Sequence, residues 1–501
     1  MLAPAPDAPV AWSLARWTML DFLRTAWPYI LVALDVALAL SVTFHAVLRK
    51  PETNTVIAWV GLAWLAPFLG GIAYFCFGVN RIQRKAVSLE IGEGISIKPP
   101  EYNDDDFRIR DELLDRCPNL QGLALLGLEV TGKRVFPGNT VKLLRDGDEA
   151  FPAMLEAIDS AERSVALLSY IFDSDRAGEK FLQSLEAAVK RGVEVRVLVD
   201  HVGARYSKPN MVPRLRKAGV TARSFLPTRT PRLMKYANLR NHRKILVVDG
   251  EVGFTGGTNI REGHVLALKP EVPVQCAHFR LEGPVVSHLQ EVFAIDWDFA
   301  SGEALTGDTW FPNIERSEGV VGARGVPDGP DEDFENMSEV ILGALATACE
   351  NVRVASPYFI PDPPMMRALS VAARRGVRVD IVLPSDNNMP IVDWASTALL
   401  AQLLEKGCHV HYSAPPFDHT KLMAIDGVWS LIGSTNWDPR SLRLNFEFNV
   451  ECYNIPLALE LEALIDEKIA SGRALTLAEI ESRSFPIKLR DGLARLASPY
   501  L

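Results

Sequence analysis

From residue 147 onward, the apolar and polar positions of this chain alternate between helical and strand periods. FPAMLEAIDSAERS (151–164) has the spacing of an amphipathic helix, and VALLSYIF (165–172) is a short apolar run suited to a buried strand. EKFLQSLEAAVKRG (179–192) predicts a second helix, closed at Gly192 by a left-handed C-cap. VEVRVLVD (193–200) alternates as a strand. Helix and strand in turn predict an α/β fold whose sheet is largely covered.

The order then recurs. SEVILGALATACEN (338–351) answers PAMLEAIDSAERS, and VRVASPYFIPD (352–362) answers VALLSYIFDSD. MMRALSVAARRGVRVDIVLP (365–384) follows FLQSLEAAVKRGVEVRVLVD almost position for position, and LLEKGCHVHYS answers LRKAGVTARSF. The chain therefore contains a duplicated domain of roughly 150 residues.

The first 80 residues follow neither period. Thr55 to Asn80 carries no charged residue and is long enough to cross a bilayer as a helix, with aromatic residues near its ends. Tyr29 to Leu48 is apolar apart from polar interruptions, chiefly Asp35 and His45. An acid inside such a run is costly unless it faces a partner helix or the interface. A cleaved signal peptide fits poorly, because the run lacks a strongly basic leader and KPETN, not a small-residue site, follows it. The pattern predicts two spans, about 28–48 and 55–79, joined by a tight turn, within a membrane anchor over 1–85. A connector with a strand-like VTGKRVF segment (130–136) follows over 86–140, then repeats at 141–320 and 321–501. A packing helix, ALELEALIDEKIASG (458–472), is predicted near the C-terminus. Arg16, Arg24, Arg81, Arg84 and Lys85 outside the hairpin outnumber Arg49 and Lys50 in its turn, which places both termini and the repeats in the cytoplasm.

Composition narrows the partners. A net charge of −9 argues against broad nucleic-acid binding, which needs a dominant basic field, but leaves room for a local basic pocket. The six cysteines are scattered, without a C-x-x-C pair or zinc-like spacing, and suit free thiols in a reducing compartment.

Within the repeats, NHRKILVVDGEVGFTGGTN (241–259) sets His242, Lys244 and Asp249 at H-x-K-x4-D spacing before a Gly-Gly-Thr-Asn turn. DHTKLMAIDGVWSLIGSTN (418–436) repeats this with His419, Lys421 and Asp426. His and Lys two apart share one face of a strand. A single copy would be most simply a solvated surface strand; two matched copies can meet across a pseudo-two-fold axis. One site then holds two His, two Lys and the two asparagines Asn259 and Asn436. That set fits phosphoryl transfer on a diester. Lys244, Lys421, Asn259 and Asn436 would surround the non-bridging oxygens. One imidazole would attack phosphorus, and the other would protonate the leaving alcohol and deprotonate the incoming one. No metal or other cofactor is required, since four side chains supply the charge and donors. Arg229, Arg232, Lys235 and Arg240, just before the first motif, are either a solvated loop or a grip on an anionic head group.

The paired H-x-K-x4-D-x6-G-[GS]-x-N motifs resemble the phospholipase D superfamily. GIAYFCFGVNRIQRK, NLRNHRKILVVDG, HFRLEGPVV, SPYFIPD and RSLRLNFEFNVE are similar to bacterial cardiolipin synthases of that superfamily. The resemblance covers nearly the whole chain and is weakest between 86 and 135. It implies two phospholipase D-type domains, with mixed β-sheets flanked by helices, packed about a pseudo-two-fold axis behind a two-helix transmembrane hairpin. It further implies a multi-pass inner-membrane enzyme with phosphatidylglycerol and the bilayer as partners. The reaction implied is transfer of a phosphatidyl group between two phosphatidylglycerols, giving cardiolipin and glycerol through a phosphohistidine. A hydrolase releasing phosphatidic acid, a nuclease and a catalytically weak lipid-binding relative are the alternatives. The resemblance makes His242 the nucleophile, His419 the acid/base, and Asp249 and Asp426 supporting residues. It also places an acid after each motif to orient a histidine. Glu447 fits in the second half; in the first half Cys276 stands in that position, with His278 as a possible substitute.

Overall fold

The computed structural model describes residues 11–50, 53–66, 68–75, 109–227, 239–313, 318–330 and 333–498. They belong to two units, Met1–Arg81 and Ile82–Leu501. Arg229, Arg232 and Lys235 lie outside the described residues.

In the first unit a helix runs from Ala11 to Arg49, and its Ala26–Arg49 stretch is long and apolar enough to cross a membrane. The second span is not the continuous helix over 55–79 that its charge-free sequence predicts. A helix covers Thr53–Leu65, and helical structure resumes at Leu69–Ala73 after Phe68 turns to φ 57°. Thirteen residues reach only about 20 Å, against about 30 Å of hydrocarbon. Pro67 has no N–H to continue a helix, which is a sequence reason for a break there. The polar interruptions of the first helix serve the second: Phe68 N–H donates to Asp35 Oδ1 at 2.8 Å, and Trp64 Nε1 donates to Thr43 Oγ1 at 3.1 Å. His45 Nδ1 and the Tyr74 hydroxyl are 2.7 Å apart. Asp35 thus accepts from an N–H freed at the break.

The second unit is built on strands β1 (Phe136–Arg145), β2 (Ser164–Ser169), β3 (Glu194–Asp200), β4 (Thr221–Phe225), β5 (Arg240–Asn241), β6 (Ile245–Val248), β7 (Val252–Gly256), β8 (Val274–Gln275) and β9 (Ala277–Glu282). The second repeat supplies β10 (Val321–Asp328), β11 (Asn351–Ala355), β12 (Arg378–Pro384), β13 (His409–Ser413), β14 (Phe417–Asp418), β15 (Leu422–Ile425), β16 (Trp429–Gly433), β17 (Asn445–Tyr453) and β18 (Arg473–Leu475). The repeats do not keep separate sheets. Sixteen strands form one, in the order β18-β13-β12-β11-β15-β16-β17-β10-β1-β9-β7-β6-β2-β3-β4, with β5 added beside β17. The order mirrors itself about the antiparallel β10–β1 pair: β17-β16-β15-β11-β12-β13 answers β9-β7-β6-β2-β3-β4. VTGKRVF is not a strand throughout; a helix (Leu120–Thr131) ends at left-handed Gly132, and β1 starts at Phe136.

Helices cover the sheet as the periodicity predicts. Asp146–Ser160 and Arg176–Lys190 pack together over the first repeat, and the second of these ends before Gly192 at φ 93°. Val286–Ser301 and Ile455–Ser471 share one core, in which Phe279, Leu281 and Trp297 of the first repeat meet Phe446, Phe448 and Leu461 of the second. Burying each such side chain contributes about 1.5–3 kcal/mol, so the repeats are held together by apolar packing as well as by the sheet.

Candidate active site

Two very short strands carry the chemistry across the axis. β5 leaves its own repeat and pairs in parallel with the start of β17, Asn241 opposite Phe446. β14 pairs the same way with β8, Asp418 opposite Gln275. The next residue is the motif histidine in both cases: His242 N–H donates to Phe446 O at 2.9 Å and His419 N–H to Gln275 O at 2.7 Å. Behind each histidine the chain enters a fully buried strand, β6 or β15, which fixes the motif's direction. The two buried imidazoles end 6.4 Å apart between ring centres, nearly perpendicular, within reach of one phosphate.

Their Nδ1 partners differ. His242 Nδ1 lies 2.9 and 3.0 Å from the two oxygens of Glu447, which comes from the other repeat. A carboxylate only accepts, so Nδ1 carries the proton and the Nε2 lone pair is left for substrate. His419 Nδ1 instead donates to the carbonyl of Gly257 at 3.0 Å. Lys244 and Lys421 follow a common pattern, each Nζ donating to the carbonyl of its own histidine, at 2.6 and 2.8 Å. Asn259 Oδ1 accepts from Ile171 N–H at 3.3 Å. Asn436 Nδ2 donates to Ser441 Oγ at 3.1 Å while its buried Oδ1 has no partner. Turning that amide over would let Oδ1 accept from the hydroxyl and free the NH2 for a phosphate oxygen.

Asp249 and Asp426 are not gathered with the other motif residues. Each sits at the far end of its strand and accepts three backbone N–H groups, from Glu162, Arg163 and Ser164 in one case and Cys349, Glu350 and Asn351 in the other. These bonds hold each hairpin turn against the strand beside it.

The sequence profile of the cardiolipin synthase, PLD-like domain matches residues 154–297 and 341–469, and that of the phospholipase D-nuclease N-terminal region matches 33–78. The chain belongs to the cardiolipin synthase family of the phospholipase D superfamily. It is 30% identical over 472 residues to a cardiolipin synthase of Oceanobacillus iheyensis, a match covering 93% of this chain and 97% of that one. A cardiolipin synthase of Listeria monocytogenes is 31% identical over 481 residues, 94% of this chain and 99% of that one. In fold it is similar to the phosphatidylserine synthase of Haemophilus influenzae, with a TM-score of 0.56 and 14% identity over 72% of this chain and 95% of that one.

Within this phospholipase D-type site, register locates the asymmetry. Gly256 pairs with His278 and Gly433 with Asn449, so Cys276 occupies the counterpart of Glu447, and Gly257 that of Ser434. In one half Ser434 Oγ donates to Glu447 Oε2 at 2.6 Å; in the other Cys276 Sγ donates to His419 O at 3.4 Å. A Cβ on Gly257 would lie 2.6 Å from Cys276 Sγ and 2.8 Å from His419 O. Glycine is what lets the carbonyl of residue 257 take the place of a carboxylate. His278 does not substitute for it: its Nδ1 has no partner, and burial, with Lys244 nearby, pushes it down to about 3.

The side chains of the site are short of negative charge. Burial pushes His242 down to about 4 against the opposing pull of Glu447, and pushes His419 well below its ordinary value, with Lys421 and Lys244 adding to it. Lys244 and Lys421 fall to about 7 and about 8 for the same first reason. Burial alone would raise Glu447, but His242 and Lys244 hold it below the usual carboxylate value. Such a site gains most from an anion.

Several contributors escaped the sequence reading. Arg243, between the first His and Lys, makes two 2.8 Å contacts with Asp296 and donates to Glu447 O at 3.0 Å, fixing the first motif; Thr420 stands in the matching place. Tyr170 packs on His242, and His264 on His419, at 5.0 and 6.3 Å between ring centres. Arg440 is lowered by burial and then by Arg240, so two guanidiniums share a region beside Tyr170, as a head-group grip at Arg240 requires. Arg440 opens the RSLRLNFEFNVE run that carries part of the resemblance, but nothing in that run singles it out.

Proposed function

We propose that this protein transfers a phosphatidyl group from one phosphatidylglycerol to another, producing cardiolipin and glycerol. His242 Nε2 attacks phosphorus, the bond to the departing glycerol oxygen breaks, and His419, held as imidazolium by the negative charge of the bound phosphodiester, gives that oxygen its proton from Nε2. The glycerol hydroxyl of the second lipid then loses its proton to His419, its oxygen attacks phosphorus, and the P–N bond returns its electrons to His242. Lys244, Lys421, Asn259 and Asn436 hold the non-bridging oxygens, and Arg240 with Arg440 receives a head group. The observation that carries this assignment is His242 Nδ1 held by both oxygens of Glu447, which orients Nε2 and stabilises the charge that builds on the ring as it attacks.

The interrupted second helix crosses the bacterial inner membrane beside Ala26–Arg49, and the repeats face the cytoplasm. The bonds at Asp35, Thr43 and His45 support a hairpin, and the basic excess outside it supports this orientation. Purified protein given labelled phosphatidylglycerol in detergent should yield cardiolipin and glycerol. Phosphatidic acid would mark a hydrolase instead, and absence of turnover a binding protein.

A further inference from the structure

The helix Phe485–Leu496 turns its apolar side outward. Phe485, Leu489, Leu493 and Leu496 are 75%, 51%, 57% and 71% exposed, and at 100° per residue they fall within one narrow arc. Its opposite side is fastened down. Ala494 is buried beside Ile360, Val392 and Ala395. Asp491, also buried, takes Arg483 and Arg490 at 2.7 Å each, and Arg490 lies 4.3 Å over the ring of Trp394. This clamp keeps the helix from rolling its leucines inward. Lys488 and Arg495 are exposed at one edge of the apolar arc, and the helix's one acid, Asp491, faces the protein.

The patch continues towards the site. The helix packs on Pro390–Leu404, whose exposed Ile391 follows exposed Met389. Next to Met389, Asn388 Oδ1 accepts from the hydroxyl of Tyr358 at 2.8 Å, and the Tyr358 ring is 6.4 Å from that of His419. An apolar face with cationic edges, joined through two residues to a catalytic histidine, matches a surface that is apolar within and anionic at its head groups.

We propose that Phe485–Leu496, with Met389 and Ile391, seats the catalytic unit on an anionic bilayer beside the entrance to the site. Phe485, Leu489 and Leu493 enter the acyl boundary while Lys488 and Arg495 meet lipid phosphates. Substrate then passes from the bilayer to His419 along Tyr358 without crossing open water. This rests on the lipid reading of the site, so its test includes a readout independent of turnover.

The full chain, carrying a photo-crosslinking phenylalanine analogue at Phe485, Leu489 or Leu493, is placed in vesicles of phosphatidylglycerol and phosphatidylethanolamine. Lipid adducts are expected at all three positions and none at Ser482. Crosslinks to a second copy or to the chain's own N-terminal helices, or no adducts, overturn the proposal. Leu489→Asp with Leu493→Asp should lower transfer at least tenfold on bilayer substrate and leave transfer on dispersed short-chain phosphatidylglycerol unchanged. Equal loss on both substrates, or loss on neither, also overturns it.

Discussion

Glu447 and Cys276 occupy matching positions, yet they give the two histidines different chemistry. Glu447 steadies positive charge on His242, which suits a nucleophile; a backbone carbonyl leaves His419 free to gain and lose a proton. Glu447→Gln should therefore lower turnover by about 10²–10⁴-fold, and the acid limb of the rate profile should move to lower pH, because the carboxylate raises His242. An unshifted limb would count against it. Cys276→Asp places a carboxylate beside His419 and should raise its pKa. The general acid then stays protonated to higher pH, moving the basic limb up by about one unit and increasing phosphohistidine formed from phosphatidylglycerol. No change in either would contradict the idea that His419 lacks a carboxylate partner. The missing acid was visible in the sequence because the resemblance implies its place, two before the histidine of HFRLEGP. The substitute was not, since the Gly257 carbonyl belongs to the backbone and reaches His419 only through pairing between repeats.

The decisive elements are the two-residue strands β5 and β14. Each exchanges into the other repeat, so neither half holds a complete site. Their partners lie 205 and 143 residues away along the chain, and periodicity reports a local face and not a crossed register. The duplication was legible in the sequence, and with it the strand character of the paired motifs. The turns that follow explain the motif aspartates: Asp249–Gly250 and Asp426–Gly427 take φ of 54° and 70°, and 53° and 59°, which Asp and Gly tolerate best. Asp249→Ala strands three backbone N–H groups and strains the turn, at a cost of about 3 kcal/mol. The fraction that stays folded should keep near wild-type turnover. Denaturant unfolding with activity per folded molecule checks this; lost turnover at unchanged stability would return Asp249 to the catalytic set.

Across the molecule, a chain of net charge −9 concentrates buried cations where its substrate's phosphate must sit. Burial lowers Lys244 to about 7 and Lys421 to about 8, and the charge of a bound phosphodiester raises both. Binding therefore takes up protons, and a non-hydrolysable phosphonate analogue should bind progressively more weakly as pH rises through about 7 and then about 8. Calorimetry in buffers of different ionisation enthalpy measures the uptake; proton release would contradict the account. The membrane unit was only partly legible. Hydropathy marked two apolar runs, but not that Asp35 would serve a break in the second.

In the proposed reaction His242 carries the phosphatidyl group while His419 handles the proton. Phosphatidyl-p-nitrophenol needs no proton for its leaving group, so it separates the two roles. Given the radiolabelled lipid, the His419→Asn variant should release p-nitrophenol in a burst and hold label on the peptide containing His242, and the His242→Asn variant should do neither. Label retained on His419 in the His242→Asn variant, or no covalent adduct in either, would contradict it.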